Sequence, residues 1–362
     1  MGDKIKLFSS ELDKKIVKNS KVFIVGHNEL DFDAIGSAIG LYVLTKKSSA
    51  EPYIIVNDDK EKLEPGVKKI IDTCSSMNII DKNKFLDIVD DNSILIVTDT
   101  NKKELISVAD YLDKFKDVVI IDHHFLSDES INAPLSYVNL ESSSASEIVT
   151  RILNITKTKY DSLIANYLLA GICLDTDRFK KNTSALTHDI AEKLINHGAE
   201  MDFVNGLFLQ DFESYCHVAS LIIYDNTIRK IYTESLSPVQ VSFSLNRKMP
   251  KSIYLKEDCA KAADRMIKFI DTDASFVMCY VDPENVHISA RGGKRVNVGK
   301  IMENIGGGGN YQSAGAKIKS DDIFLIEKKI MESVPLGISS EETIIDNPVE
   351  MNAKQLVKKI NK

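Results

Sequence analysis

The chain has 362 residues, 43% of them hydrophobic and 27% charged, and a formal net charge of -7. That length exceeds one ordinary core and implies two domains, while the acidic balance argues against nonspecific binding to duplex nucleic acid and leaves room for a local basic pocket or for divalent cations. No apolar run approaches the roughly 20 residues of a membrane span, the Lys-rich N-terminus has no signal-peptide core, and five scattered cysteines (Cys74, Cys173, Cys216, Cys259, Cys279) without CxxC spacing predict neither a disulfide framework nor a zinc ribbon, which fits a reducing, cytoplasmic setting.

Residues 1–20 read as a polar helix. Residues 21–25 form a short apolar strand that runs into Gly26-His27 and then Asp31-Phe32-Asp33. The following segment, 34–44, has helical periodicity, which places Asp33 as its N-cap; capping is the plain role and metal ligation the functional one. Residues 53–56 and 94–97 are further strands, the latter ending in Asp99-Thr100. Residues 118–121 are four consecutive β-branched residues that stop abruptly at Asp122-His123-His124. Such a run reads as a buried parallel strand delivering its carboxyl end to a site, the alternative being a merely solvated strand end. Helices follow at 142–153, opened by a serine-rich loop, at 161–174, ending in Asp175-Thr176-Asp177, and at 185–196 with Gly198 as C-cap. Strands alternating with helices predict a mainly parallel α/β sheet over 1–205. Residues 206–236 read as a connector and 237–336 as a smaller α/β unit, with strands at 239–243, 275–281 and 286–290 and helices at 259–270, 296–305 and near 323–332. The acidic, then Lys-rich stretch 337–362 reads as a weakly packed tail.

Four element ends in the first unit carry acids or imidazoles: His27, Asp31 and Asp33; Asp99; Asp122, His123 and His124; and Asp175. Each alone has an ordinary explanation as a turn, cap or loop residue. If the strands are parallel neighbours, the groups converge on one edge. Converging carboxylates repel unless cations are present. Imidazole plus carboxylate without thiolate suits Mn²⁺ or a similar ion, and five or six ligands suit two ions, the arrangement that hydrolyses phosphate esters.

In the second unit, Gly306, Gly307, Gly308 and Gly309 follow a helix directly. A flexible linker is the plain reading; a loop whose N–H groups approach a phosphate or base is the functional one, favoured by the shortness of the run. Arg291, at a nearby strand end, has the planar fork suited to phosphate or a base edge, its plain alternative being a surface arginine.

The segments Gly26-His27 with Asp31-Phe32-Asp33-Ala34-Ile35-Gly36, Asp99-Thr100, Asp122-His123-His124 and Asp175-Thr176-Asp177 together resemble the four motifs of the DHH phosphoesterase family. Ile288-Ser289-Ala290-Arg291 and the stretch from Asn297 to Gly309 resemble the DHHA1 domain, most like that of the GdpP-type cyclic di-AMP phosphodiesterases. The resemblance spans about residues 20–330 and implies an active site in the cleft between a DHH domain and a DHHA1 domain. It implies two divalent ions, usually manganese: one on His27, Asp31 and Asp99, the other on Asp33, Asp99, His123 and Asp175, with Asp99 bridging. His124 would face the phosphate and Asp122 would orient a histidine, giving Asp99, Asp122 and His124 as catalytic residues. Arg291, Gly306 to Gly309 and Asn310 would bind substrate.

The implied reaction opens cyclic di-AMP to pApA through a hydroxide activated by two metals. Short linear nucleotides, as cut by oligoribonuclease/pAp phosphatases, are the second reading, and a cyclic-dinucleotide sensor without turnover is the third. A homodimer is left open. The GdpP-type proteins usually also carry a membrane anchor with sensory domains, so this sequence is expected to be either a stand-alone relative or part of a longer protein. Three positions depart from the family pattern: Asn310 stands where His is usual, Phe125 where Arg is common, and Gly292 where Ser is usual.

Overall fold

In the computed structural model, residues 2–16, 20–56, 63–126, 129–209, 212–222, 227–232, 238–245, 256–282, 284–320 and 322–338 are described. The chain forms two compact units, 1–210 and 211–362. Most of the tail expected at 337–362 lies outside the described residues.

Unit one runs α1 (Gly2–Lys15), β1 (Lys21–Val25), α2 (Phe32–Lys47), β2 (Glu51–Ile55), α3 (Pro65–Thr73), β3 (Ile79–Ile80), α4 (Lys82–Ile88), β4 (Ile94–Thr98), β5 (Asp117–Asp122), β6 (Leu135–Val138), α5 (Ala145–Ile155), α6 (Ser162–Asp175), α7 (Ala185–Asn196) and α8 (Met201–Leu207). Its six strands are all parallel, in the order β3-β2-β1-β4-β5-β6. Side chains alternate across this sheet, as the strand period requires. Val22, Ile24, Ile94, Ile96, Val119 and Ile121 face one core with α2, α5 and α6. Phe23, Val25, Leu95, Val97 and Ile120 face a second core with Phe85 and Phe115. Both faces are covered, so the strands read as nearly continuous apolar runs. The strand order reverses between β1 and β4, and the crevice outside the carboxyl ends of such strands is where open α/β sheets bind ligands.

Several elements differ from the sequence reading. Helix α1 is not uniformly polar: Ile5, Phe8 and Leu12 are buried at helical spacing and Ile16 beyond its end joins them, so its charged residues form only the outer face. Helix α2 begins at Phe32 and its N-cap is Asp31, whose side chain accepts from the Asp33 and Ala34 amides at 2.9 and 3.0 Å. Asp33 is therefore not the cap.

Unit two runs α9 (Phe212–Leu221), β7 (Thr227–Tyr232), β8 (Val239–Leu245), α10 (Lys256–Met266), β9 (Ala274–Asp282), β10 (Asn285–Gly292), α11 (Val298–Asn304), β11 (Gly308–Gly309), β12 (Ser313–Lys319) and α12 (Ile323–Gly337). Its sheet order is β11-β12-β10-β9-β8-β7, with β8 and β9 parallel and the other pairs antiparallel. Residues from α11 and α12 fill one face of the sheet against Phe243, Phe276 and Ile288. Residues from α9 and α10 fill the other against Val277 and Cys279. Helix α9 and strand β7 lie within the stretch expected as a connector, and both build unit two. Cys259 on α10 and Cys279 on β9 form a disulfide, contrary to the expectation of none: two buried cysteines 20 residues apart meet across a helix–sheet interface, which spacing does not reveal. No helix among the described residues is long and apolar enough to cross a membrane.

Candidate metal centre

The carboxyl edge at the strand reversal collects the acids and imidazoles of unit one. His27 and Asp31 follow β1, Asp33 lies in the first turn of α2, Asp99 follows β4, Asp122 ends β5, and Asp175 ends α6. His27 Nε2 lies 3.4 Å from both Asp31 Oδ2 and Asp99 Oδ2. His123 Nε2 lies 3.1 Å from Asp175 Oδ2, 3.3 Å from Asp99 Oδ1 and 3.8 Å from Asp33 Oδ2. The donors form three sets, each within 4.8 Å: His27, Asp31 and Asp99; Asp33, Asp99, His123 and Asp175; and Asp99, Asp122, His123 and His124. Asp99 belongs to all three, its two oxygens facing different histidines.

The pocket is buried and electrostatically unbalanced. Burial opposes charge on His27, yet Asp31 and Asp99 push its pKa up to about 11. Burial likewise opposes charge on His123, and Asp175, Asp99 and Asp33 push it to about 11. Burial with the charge of Asp99 and Asp175 raises Asp33, whereas the two imidazoles outweigh burial at Asp99 and hold it below the usual carboxylate range. Burial raises Asp175 as well. Asp99 Oδ1 and His123 Nε2 are both buried and make no hydrogen bond. Buried polar atoms in proteins are normally satisfied, so two orphans aimed at one point among several acids fit a divalent cation. Asp99 also adopts φ +61, a left-handed conformation that a non-glycine residue holds only when its surroundings compel it.

Neighbouring elements fix these side chains. The amides of Ala145 and Ser146 at the start of α5 donate to the two oxygens of Asp33, both at 2.7 Å. A helix N-terminus favours an anion there. Helix α5 starts at this point because Ser144 caps it, and buried Glu147 accepts from Ser143 and from Thr187 Oγ1 on α7. On the other side, Asp122 Oδ1 accepts from the His123 amide and pairs with His124 Nδ1, each at 2.8 Å, which leaves His124 Nε2 outward on a half-exposed ring. Asp122 Oδ2 accepts from Asn101 Nδ2 at 2.6 Å, and Asn101 Oδ1 accepts from Ser130 Oγ at 2.6 Å. Asn101 escaped the sequence reading; its one signal is a third polar residue after Asp99-Thr100. Phe125, next to His124, is 79% exposed.

In unit two, Arg291 is the penultimate residue of β10 and its guanidinium grips Asp264 of α10, with Nε to Oδ1 at 2.6 Å and Nη2 to Oδ2 at 3.2 Å. The glycine run is no linker. Gly308 and Gly309 pair with β12, a Cβ at Gly307 or Gly309 would collide with that strand, and Gly306 has φ +88. At Gly308 a side chain would meet only open space. Asn310 Oδ1 accepts from the amides of Gln312 and Ser313 at 3.0 and 2.8 Å, so its carbonyl closes a turn.

A six-stranded parallel sheet with His and Asp donors at its reversal point, followed by a separate mixed sheet, defines a class, and sequence comparison agrees. The family model "DHH family, N-terminal domain" matches residues 21–172 and the DHHA1 domain model matches residues 239–334. The chain belongs to the DHH/DHHA1 phosphoesterase family. Among its relatives, it is 27% identical to the cyclic-di-AMP phosphodiesterase PdeA of Listeria monocytogenes, over 91% of this chain and 49% of that protein; it thus spans about half of that relative's length. It is 22% identical to the bifunctional oligoribonuclease and PAP phosphatase NrnA of Thermus thermophilus, over 86% of this chain and 89% of that protein. The crystal structure of an exopolyphosphatase-related protein from Bacteroides fragilis has the same fold, with a TM-score of 0.73 and 20% identity over 91% of this chain and 97% of that one.

Proposed function

We propose that the chain is a metal-dependent phosphodiesterase that opens cyclic di-AMP to pApA. The observation that carries this reading is Asp99, whose two oxygens reach into separate His/Asp sets. Two divalent ions, one on His27, Asp31 and Asp99 and one on Asp33, Asp99, His123 and Asp175, would supply the Lewis-acid charge that polarises phosphorus and activates water. The carboxylate and imidazole donors favour Mn²⁺.

The protein's own part is to hold and to move protons. Asp122 fixes His124 through Nδ1 and raises its pKa, so a proton at Nε2 is available to a phosphate oxygen or to the departing ribose oxygen. Asp33 stays aimed because α5 holds both of its oxygens. Arg291 and the glycine run at Gly308, where a side chain would meet only open space, contact the nucleotide in unit two.

A second reading keeps the chemistry and changes the substrate to short linear nucleotides. It is favoured by Asn310, whose amide cannot carry the charge of an imidazole and whose carbonyl is already used. Product analysis on cyclic di-AMP, pApA and pAp with a Mn²⁺ titration separates the two. Cyclic di-AMP is expected to be preferred; tenfold preference for the linear substrates selects the second reading, and binding of cyclic di-AMP without product rejects turnover altogether.

A further inference from the structure

The donor inventory of Arg291 is nearly used up. Its Nε and one Nη2 hydrogen go to Asp264, and Nη1 donates to the Ala290 carbonyl at 3.0 Å. Of five N–H groups, two remain without a partner among the described residues, one on each terminal nitrogen. Those two form a fork that matches two oxygens of one phosphate. The fork carries little net charge, because a carboxylate lies against its far side. The Arg291 side chain is 17% exposed and that of Asp264 52% exposed, so solvent screens the pair only in part.

We infer that Asp264 is a specificity-determining residue which makes the Arg291 fork select internal phosphodiesters over terminal phosphomonoesters. This rests on the reading of Arg291 as a nucleotide contact. A phosphodiester carries one negative charge and needs only the two hydrogen bonds. A terminal phosphomonoester is close to doubly charged above pH 7. Its second charge gains nothing from a neutralised arginine and is repelled by Asp264. One unit charge at roughly 6 Å, between a water-like and a half-buried dielectric, corresponds to about three- to tenfold in affinity. The pair therefore disfavours a 5′-phosphorylated product relative to a cyclic substrate, which has no terminal phosphate, and helps the opened product to leave.

The test compares ApA with pApA, which differ by one terminal phosphate. Equilibrium binding of each to the full chain is measured with metal chelated, so that no hydrolysis competes. In Asp264→Asn the fork gains a net positive charge and both ligands tighten, but pApA, with the extra charge, is expected to tighten about three- to tenfold more than ApA; Asp264→Glu, which keeps the charge, retains the wild-type ratio within twofold. The inference is overturned if both ligands tighten by the same factor, if pApA does not tighten, or if neither binds the wild-type chain. Failure of the phosphodiesterase reading is distinguishable, because it is read from wild-type turnover of cyclic di-AMP with Mn²⁺ and not from this ratio.

Discussion

Gly171 tests how far the metal centre depends on packing behind it. It lies in α6 where the first turns of α2 and α5 meet. A Cβ placed there would fall 2.7 Å from Asp33 Oδ1 and 2.9 Å from Asp33 Cα, and closer still to Ser146 Oγ. Ordinary contact begins at 3.4 Å, so in Gly171→Ala either Asp33 or α6 must retreat by about 0.5 to 0.7 Å, whereas metal–ligand distances tolerate only about 0.2 Å. Overpacking of this kind costs about 1–3 kcal/mol, and misplacing a group that orients a ligand lowers metal affinity by roughly 10–100-fold. Thermal unfolding of the metal-free protein reads the first effect and Mn²⁺ calorimetry the second. The double variant Ser146→Ala/Gly171→Ala removes the hydroxyl collision and leaves the one with Asp33, so stability should partly recover while metal affinity should not. Wild-type Mn²⁺ affinity and stoichiometry in Gly171→Ala would refute the reasoning.

Asp99→Ala should abolish Mn²⁺-dependent turnover while the circular dichroism spectrum stays native, since loss of the shared ligand releases both ions; substantial residual turnover rejects the assignment. Acidity should control the metal-free state through His27 and His123, both raised to about 11. Their folded values exceed the unfolded value near 6.5, so their contribution to stability is fully present below about pH 6.5 and is lost as pH rises toward 11. The chelated protein should therefore melt at a lower temperature at pH 10 than at pH 6.5. Ligation needs neutral imidazoles, so Mn²⁺ uptake near neutral pH should release protons, counted by calorimetry in buffers of different ionisation enthalpy; release of none contradicts the ligand set. Asn101→Ala leaves buried Asp122 Oδ2 without its donor, which should cost about 1–3 kcal/mol of stability and reduce kcat more than it raises KM; an unchanged kcat would mean that Asn101 does not position His124.

What could be read in the chain before folding was set by the distance over which each residue finds its partner. Strands β1, β4 and β5 are buried on both faces, so their apolar runs stand out, and the acids and imidazoles at their ends stand out with them. Strand β3 has two residues and β6 four, too short for any period to declare itself. Strand β7 (TIRKIY) does not alternate, since Lys230 shares a face with Ile228 and Tyr232 while Ile231 is exposed, and it sits in a polar stretch that composition marks as a connector. Asp31 and Asp33 show the deeper limit. Two acids flanking Phe32 are equally good caps by local chemistry, and what decides between them is α5, whose amides lie 112 and 113 residues away from Asp33. With Asp33 engaged there, Asp31 is left to start the helix. Asn101 is hidden for the same reason, since its partner Asp122 is 21 residues on. Groups that would touch metal or substrate need particular side-chain chemistry and so mark themselves in the sequence, whereas the residues that aim them can be an amide, a serine or the missing side chain of a glycine, whose meaning exists only once the fold has brought them into contact.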